Sequence, residues 1–340
     1  MTNREIAKEL GISPATLSLI INNRPGISDV RRIEVITALE KMGYAYLIKK
    51  SDIPEDQDIE HNICFVVYKK TGSMLDSSPF FMLVLESIEN YAKIFHYRVQ
   101  YSFLDENEHI DDQISRLNAS ASRGIIVFAT EMTEKDVFAF SNLSVPYVFL
   151  DNSFPTLEKD CISINNRLGT AQAVNHLVRR GHSRIGYLRS ETRINSFEER
   201  EAGYDTALRK HGLSLDQHHI FTLPFSEVAC YQQMKTLITD HIDLPTAFVS
   251  DDDILTSGVM KALIESGYKV PDDISFVGFN DRPLCELLTP ALTTIRVPRY
   301  AFGAAAVDLL HTRIAHKRGL LEETDSFKAE IGTKLIIRES

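Results

Sequence analysis

The chain has 340 residues, of which 44% are hydrophobic and 25% charged, and its formal net charge is −10. That is enough for two or three cores, and no apolar run reaches the roughly 18 residues of a membrane span. The four cysteines, Cys64, Cys161, Cys230 and Cys285, are scattered with no CxxC pair, which argues against a disulfide framework or a zinc site and for buried thiols in a cytoplasmic protein.

The N-terminal stretch MTNREIAKEL carries charges where an export signal needs an apolar core, so we expect a protein that is not exported. Residues 1–50 hold 8 Lys+Arg against 5 Asp+Glu, net +3, while the remainder is net −13. A basic head on an acidic body suggests a head that meets an anion, although +3 in fifty residues is also within chance.

Arg4 to Leu10 reads as a short helix with Ile6, Ala7 and Leu10 on one face. Gly11 supplies a turn open to positive φ, and Ile12 then plugs the core. Ser13 is a strong N-cap, and Pro14 takes the first helical position, where its missing N–H costs nothing. The second helix runs to about Asn22 and offers Leu17, Ile20 and Ile21 for packing. Ser28 caps a third, whose Val30, Ile33, Ile36, Leu39 and Met42 approximate one face before Gly43 ends it. Helix, glycine turn and capped helix form a helix-turn-helix unit. Spacing alone also fits a generic three-helix bundle.

From residue 62 short apolar runs alternate with amphipathic helical stretches. The runs are ICFVVY (63–68), VQYSF (99–103), GIIVF (124–128), YVFL (147–150), CISI (161–164), IGYL (185–188), AFVS (247–250) and ISFVGF (274–279). Such β–α alternation predicts doubly wound parallel sheets with sites at the carboxyl ends of strands, and this many strands suggests two lobes with a cleft between them. No internal repeat or low-complexity segment is present. The run Asp251-Asp252-Asp253 invites a magnesium reading. Adjacent side chains point different ways, however, and no phosphate-cradling glycine run accompanies them. No G-x-S-x-G, HExxH or Cys–His set supports an enzyme, so we expect no catalytic residues, no metal and no cofactor.

The stretch REIAKELGISPATLSLIINNRPGISDVRRIEVITALEKMGY, from Arg4 to Tyr44, resembles the DNA-binding head of the LacI/GalR family of bacterial repressors. The segments VNHLVRRGHSRIGYL, EEREAGYDTAL, AFVSDDDILTSGVMKALIESGYKVPDDISFVGFND, LTPALTTIRVP and the closing LIIRES resemble that family's effector domain, which is similar to periplasmic sugar-binding proteins. The order of parts is the family's, and the resemblance spans nearly the whole chain. It implies a small all-α helix-turn-helix head at 1–45, a hinge at 46–61 and an effector-binding, dimerising α/β domain at 62–340. That domain would consist of two doubly wound parallel-sheet lobes of periplasmic-binding-protein type, one at about 62–164 plus 297–327, the other at about 165–296 plus 328–340.

The resemblance also implies function: a dimer that reads a pseudo-palindromic operator in double-stranded DNA, controlled by a small molecule in the cleft, by default a sugar. One head buries too little surface for specific affinity, so two must act together. The chain shows no leucine-heptad tail, so a homodimer is expected, with no membrane partner. A free sugar-binding protein without DNA function is the alternative that the body alone would allow.

On DNA, the second helix would enter the major groove with Ser13, Pro14, Ala15, Thr16, Ser18 and Leu19, followed by Asn22, Asn23 and Arg24. Pro14, Ala15 and Leu19 fall on base-reading positions, where their apolar surfaces suit thymine methyls, not a bidentate guanine contact. Thr16, Ser18, Asn22, Asn23 and Arg24 would mainly hold phosphate and sugar. The family's minor-groove hinge departs here: Ile53 takes the wedge position among Asp52, Glu55, Asp56, Asp58 and Glu60, with Pro54 next. We expect a short or absent hinge helix, with Lys49 and Lys50 its only favourable phosphate contacts.

For the ligand, the resemblance implies Phe80, Phe81, Asp151, Arg200, Phe225, Asp251 and Asn280. A sugar needs planar polar side chains and an aromatic platform, which this set supplies. Each residue has a plainer role open to it: core for the phenylalanines, a salt-bridged helix start for Arg200 among Glu198, Glu199 and Glu201, a helix cap for Asp251, and a turn for Asn280.

Overall fold

The structure is a computed structural model that describes residues 3–21, 26–27, 29–41, 61–72, 74, 80–315 and 325–340. It divides into two compact units, Met1–Glu60 and His61–Ser340.

In the first unit, α1 (Asn3–Glu9) is closed by a turn in which Gly11 adopts φ +63° and the Ile12 amide reaches back to the Ala7 carbonyl at 2.9 Å. The Ser13 Oγ accepts from the Thr16 amide at 3.0 Å, satisfying one of the orphan donors of α2 (Pro14–Ile21). Leu17, Ile20 and Ile21 face inward and meet Ile6, Ala7, and Val35 and Leu39 of α3 (Asp29–Lys41). The inner face of α3 therefore includes Val35, one turn before Leu39, which strict three-residue steps pass over. Ile36 is only partly buried, and the side chains of Val30, Ile33 and Met42 lie outside the described residues.

The second unit carries two six-stranded sheets. The first has the order β11-β5-β4-β3-β1-β2, built from β1 (His61–Lys69), β2 (Tyr97–Asp105), β3 (Ser122–Phe128), β4 (Tyr147–Leu150), β5 (Cys161–Ile164) and β11 (Lys328–Ile331), all parallel. The second has the order β12-β10-β9-β8-β6-β7, from β6 (Ile185–Ser190), β7 (Ile220–Leu223), β8 (Ala247–Ser250), β9 (Ser275–Asn280), β10 (Thr294–Arg296) and β12 (Lys334–Ile336). In it only β12 runs antiparallel to its neighbour. Strands such as β3, β8 and β9 are unbroken apolar runs because helices cover both faces of a parallel sheet.

The chain passes between lobes after β5, after β10 and after β11. The last crossing corrects one boundary. Lys328–Ile331 pairs in parallel with Cys161–Ile164 and so belongs to lobe one, not lobe two. The switch comes between Ile331 and Lys334. The strand is short, lies at a sheet edge and is half exposed, so its sequence carries no burial signal. β7 and β10 also lie outside the apolar runs recognised above. The helix Arg299–Ile314 returns to lobe one and crosses close to β3, where a Cβ on Gly124 would lie 2.8 Å from both Leu310 and Ile314. Among the described residues, no helix is long and apolar enough to cross a membrane.

Candidate functional site

The carboxyl ends of the parallel strands face each other across a narrow cleft. Lobe one contributes Phe80, Phe81, Phe128, Thr130 and Asp151; lobe two contributes Phe197, Arg200, Phe225, Asp252, Asn280 and Arg282. This is where open α/β sheets place ligands, since helix N-termini and loop residues converge beyond the strand ends.

Arg200 stands on the helix Asn195–Lys210 and is only 3% exposed. Its Nε donates to Asn166 Oδ1 at 2.9 Å, and its Nη1 donates to the Asp251 carbonyl. Its guanidinium lies over the Phe279 ring, 3.7 Å from the centroid. Burial pulls its pKa down, while Asp252 and Asp251 oppose that shift; an arginine so placed stays charged. Two nitrogens are thus fixed, and Nη2, which has no acceptor among the described residues, is left to the cleft that Arg200 lines. The neighbouring glutamates do not hold it: Glu199 accepts from Asn166, and Glu201 pairs with Arg193 and Arg189.

Asp151 follows β4 with φ 70°. Its Oδ2 accepts from Thr130 Oγ1. Burial pushes its carboxyl up to about 6, against the Thr130 hydrogen bond and the Arg200 charge. Asn280 ends β9 with φ 101° and donates Nδ2 to Asp252 Oδ2 at 2.6 Å. Its Oδ1 is buried with no partner, an uncompensated acceptor in a residue that is 5% exposed.

The three adjacent aspartates diverge. Asp252 caps the helix Asp253–Glu265 through the Ile254 amide and takes Arg282 in a two-pronged pair at 2.9 and 2.8 Å. Asp253 accepts from Thr294 Oγ1 at 2.6 Å and from the Arg282 amide at 2.9 Å, and burial beside Asp252 pushes it up to about 7. A Cβ on Gly278 would sit 2.2 Å from Asp253 Oδ1, so only glycine leaves room for that carboxylate.

Asp251 is a correction. It is fully buried and does not reach the cleft. Its carboxylate accepts from the Tyr187 hydroxyl, the Ser190 amide at 2.8 Å and Arg193 Nη1 at 2.7 Å, all on the β6 side. The next residue takes the cap and faces the cleft instead. Among the described residues no group of three His, Cys, Asp or Glu side chains is arranged to hold a metal ion.

The phenylalanines serve both roles left open by sequence. Phe80 packs on Phe128 at 6.4 Å, Phe81 on Phe103 at 6.1 Å, and Phe225 on Phe197 at 5.7 Å, while all three also line the cleft.

A periplasmic-binding-protein-like domain profile matches residues 174–340. The transcriptional repressor PurR of Haemophilus influenzae (strain PittEE) is 26% identical, covering 100% of this chain and 98% of that protein. The transcriptional regulator GalR of Escherichia coli K12 is 28% identical over 96% of this chain and 92% of its own length. Among solved structures, the regulator CelR in complex with cellobiose aligns at a TM-score of 0.71 and 20% identity, covering 100% of this chain and 99% of its own. The Lac repressor dimer bound to operator and an anti-inducer aligns at 0.69 and 22%, covering 100% and 98%. At those identities the structures speak for the fold. Over nearly its whole length the chain is thus similar to transcriptional regulators of the LacI/GalR kind. Both of those relatives are named as transcriptional regulators.

In the head, Ser13, Pro14, Ala15 and Ser18 are exposed, while Leu17, Ile20 and Ile21 of α2 are buried. Thr16 is half-buried and shares a hydrogen bond with Ser13. Leu19 is also half-buried, and its carbonyl accepts from Arg32. Asn22, Asn23, Arg24, Lys49, Lys50 and Ile53 lie outside the described residues.

Sequence reasoning missed Phe128, Thr130, Phe197, Asp252 and Arg282 in the cleft. Phe197 was findable, because it precedes Arg200 by three on one helix face. Thr130 was findable as the second residue beyond a strand end. Nothing in the local sequence marks Arg282.

Proposed function

We propose that the chain is a ligand-controlled repressor that binds an operator as a dimer through its head and a carbohydrate in its interlobe cleft. The observation that carries the ligand class is the set of unmet hydrogen-bonding capacities around the cleft: a buried acceptor on Asn280, a free carboxylate oxygen on Asp151 and a free donor on Arg200. Hydroxyl groups both donate and accept, so adjacent hydroxyls on a sugar ring satisfy all three, and the phenylalanine walls receive its apolar faces. The solved structure of CelR, a protein of the same fold, is a complex with cellobiose, which supports this reading.

The proposed ligand residues are Phe80, Phe81, Phe128, Thr130, Asp151, Phe197, Arg200, Phe225, Asn280 and Arg282. The proposed DNA residues are Ser13, Pro14, Ala15, Thr16, Ser18 and Leu19, with Asn22, Asn23, Arg24, Lys49 and Lys50 from sequence alone. The proposed setting is the cytoplasm. Ligand shifts the DNA-binding equilibrium only by its preference for one arrangement of the lobes.

Thermal-shift screening against mono- and disaccharides, with hypoxanthine as a planar nitrogenous control, tests the cleft. A mobility-shift assay on the DNA upstream of the coding sequence tests the head. A rise in Tm with one sugar, together with a shifted band that responds to it, supports the reading. Stabilisation by hypoxanthine alone overturns the carbohydrate assignment, and no shifted band at micromolar protein overturns the repressor.

A further inference from the structure

A second feature bridges the cleft, built on Glu131 and Met74, neither of them among the ligand residues above. Glu131, just past β3, is 7% exposed. Its carboxylate gathers four backbone amides from the segment that follows β1: Lys70 at 2.8 Å, Thr71 at 2.8 Å and Gly72 at 3.0 Å on Oε2, and Met74 at 3.0 Å on Oε1. The Thr71 hydroxyl adds a fifth donor at 3.2 Å. Asp136 pins the base of the same segment through both oxygens to Lys70 Nζ.

Convergent amides of this kind form a nest that stabilises an anion. The four N–H groups hold the Glu131 carboxyl below its usual range in spite of burial. The arrangement fixes the backbone amides of Lys70, Thr71, Gly72 and Met74 in lobe one. The Met74 side chain, though, is 7% exposed and belongs to the apolar cluster of lobe two, with Leu188, Phe197 and Phe225. It also lines the cleft.

We propose that Glu131 is a positioning residue that holds Met74 across the cleft as an interlobe clasp, a lobe-one side chain seated in the lobe-two core. Rigid backbone on one side and an adaptable thioether on the other suit a contact that must form and release. A ligand then meets Met74 as a movable wall. That last consequence rests on the proposed function; the clasp itself does not.

The test therefore needs no ligand. The four native cysteines are buried, so spin labels at Lys135→Cys in lobe one and Glu198→Cys in lobe two report the interlobe distance in the full chain. We expect Met74→Ala and Glu131→Ala each to add a longer-distance population, and Met74→Leu to retain the original one. In protein labelled at methionine methyls with ¹³C, Glu131→Ala should move the Met74 resonance away from its aromatic surroundings and towards the position of a solvated methionine. The milder Glu131→Gln, which keeps the shape and loses the charge, should move it partway. An unchanged distance distribution in Met74→Ala overturns the clasp. An unchanged Met74 resonance in both Glu131 variants overturns the positioning role, whether or not any sugar binds.

Discussion

Arg200 stacks on Phe279 with 3.7 Å between the guanidinium carbon and the ring centroid, while Asn166 and the Asp251 carbonyl fix two of its nitrogens. Planarity is what makes all three contacts possible at once. A lysine offers a point charge that cannot stack and donate in two fixed directions. Arg200→Lys should therefore weaken sugar binding by about 2 kcal/mol, the scale of a lost charged hydrogen bond. It should also destabilise the folded chain by about 1–3 kcal/mol, because buried acceptors lose their donor. Operator affinity of the folded, ligand-free variant should stay within about threefold of wild type, under 1 kcal/mol, since the head is a separate compact unit. Calorimetry with the sugar found by screening, urea unfolding and operator anisotropy measure the three effects. Normal stability would show that Arg200 does not lock lobe two together.

Asp251 separates a structural from a ligand-binding carboxylate. It is buried, and its partners Tyr187, Ser190 and Arg193 all come from the β6 side. Removing one member of such a pair strands the others, at a cost of about 3 kcal/mol or more. Asp251→Ala should lower the urea midpoint by that measure, whereas its sugar affinity, taken at low temperature where the variant is folded, should change less than that of Asn280→Ala. The reverse ranking would return Asp251 to the cleft.

Much of this architecture was legible because its signals are local. Ser13, Pro14 and Gly11 each perform a job that a neighbour's backbone geometry demands, and unbroken runs such as GIIVF and AFVS have no role other than strands covered on both faces. The boundary at Lys328 was not legible, since an edge strand pairs through its backbone and leaves its side chains half exposed. Within the cleft, position along the chain located Asp151, Arg200 and Asn280. It did not decide which member of Asp251-Asp252-Asp253 faces the ligand, because that depends on which one caps the following helix and which one meets Arg193, 58 residues away in sequence.

Gly203 tests the packing of the two helices that carry Asn166 and Arg200. A Cβ there would lie 2.2 Å from Thr170 Oγ1, 2.8 Å from Arg167 Cα and 2.9 Å from the Arg167 carbonyl. Alanine is favoured over glycine within a helix by up to about 1 kcal/mol, but forcing the helices apart costs about 1–3 kcal/mol or more. The overpacking term wins, because two of the three close atoms are backbone. Gly203→Ala should be destabilising by about 2 kcal/mol in urea unfolding, and adding Thr170→Ala should restore only part of it. A neutral or stabilising result would mean that the helices stand further apart than described.

The final prediction concerns pH. Burial raises the Asp151 carboxyl from its ordinary value of 3.8 to about 6 in the folded chain. Between those values the folded state holds more protons than the unfolded state. Stability contributed by this group therefore falls as pH rises from about 4 to about 6, and is flat above that. Asp251, also at about 6, and Asp253, at about 7, act in the same direction. Glu131 and Asp136, whose carboxyls are held low, act in the opposite one, contributing stability that is lost on acidification. The net curve mixes these, so the variant must isolate one group. Asparagine keeps an acceptor for Thr130 and tolerates the φ of 70° at this position. Asp151→Asn should be more stable than wild type at pH 7.5, and its advantage should shrink by about 1 kcal/mol on going to pH 5, as linkage requires for a carboxyl shifted this far. Denaturant unfolding of both proteins at pH 5, 6 and 7.5 gives the comparison directly. A difference that stays constant across that range would place the Asp151 carboxyl near its ordinary value, and would assign its φ and its Thr130 bond to shaping the strand end.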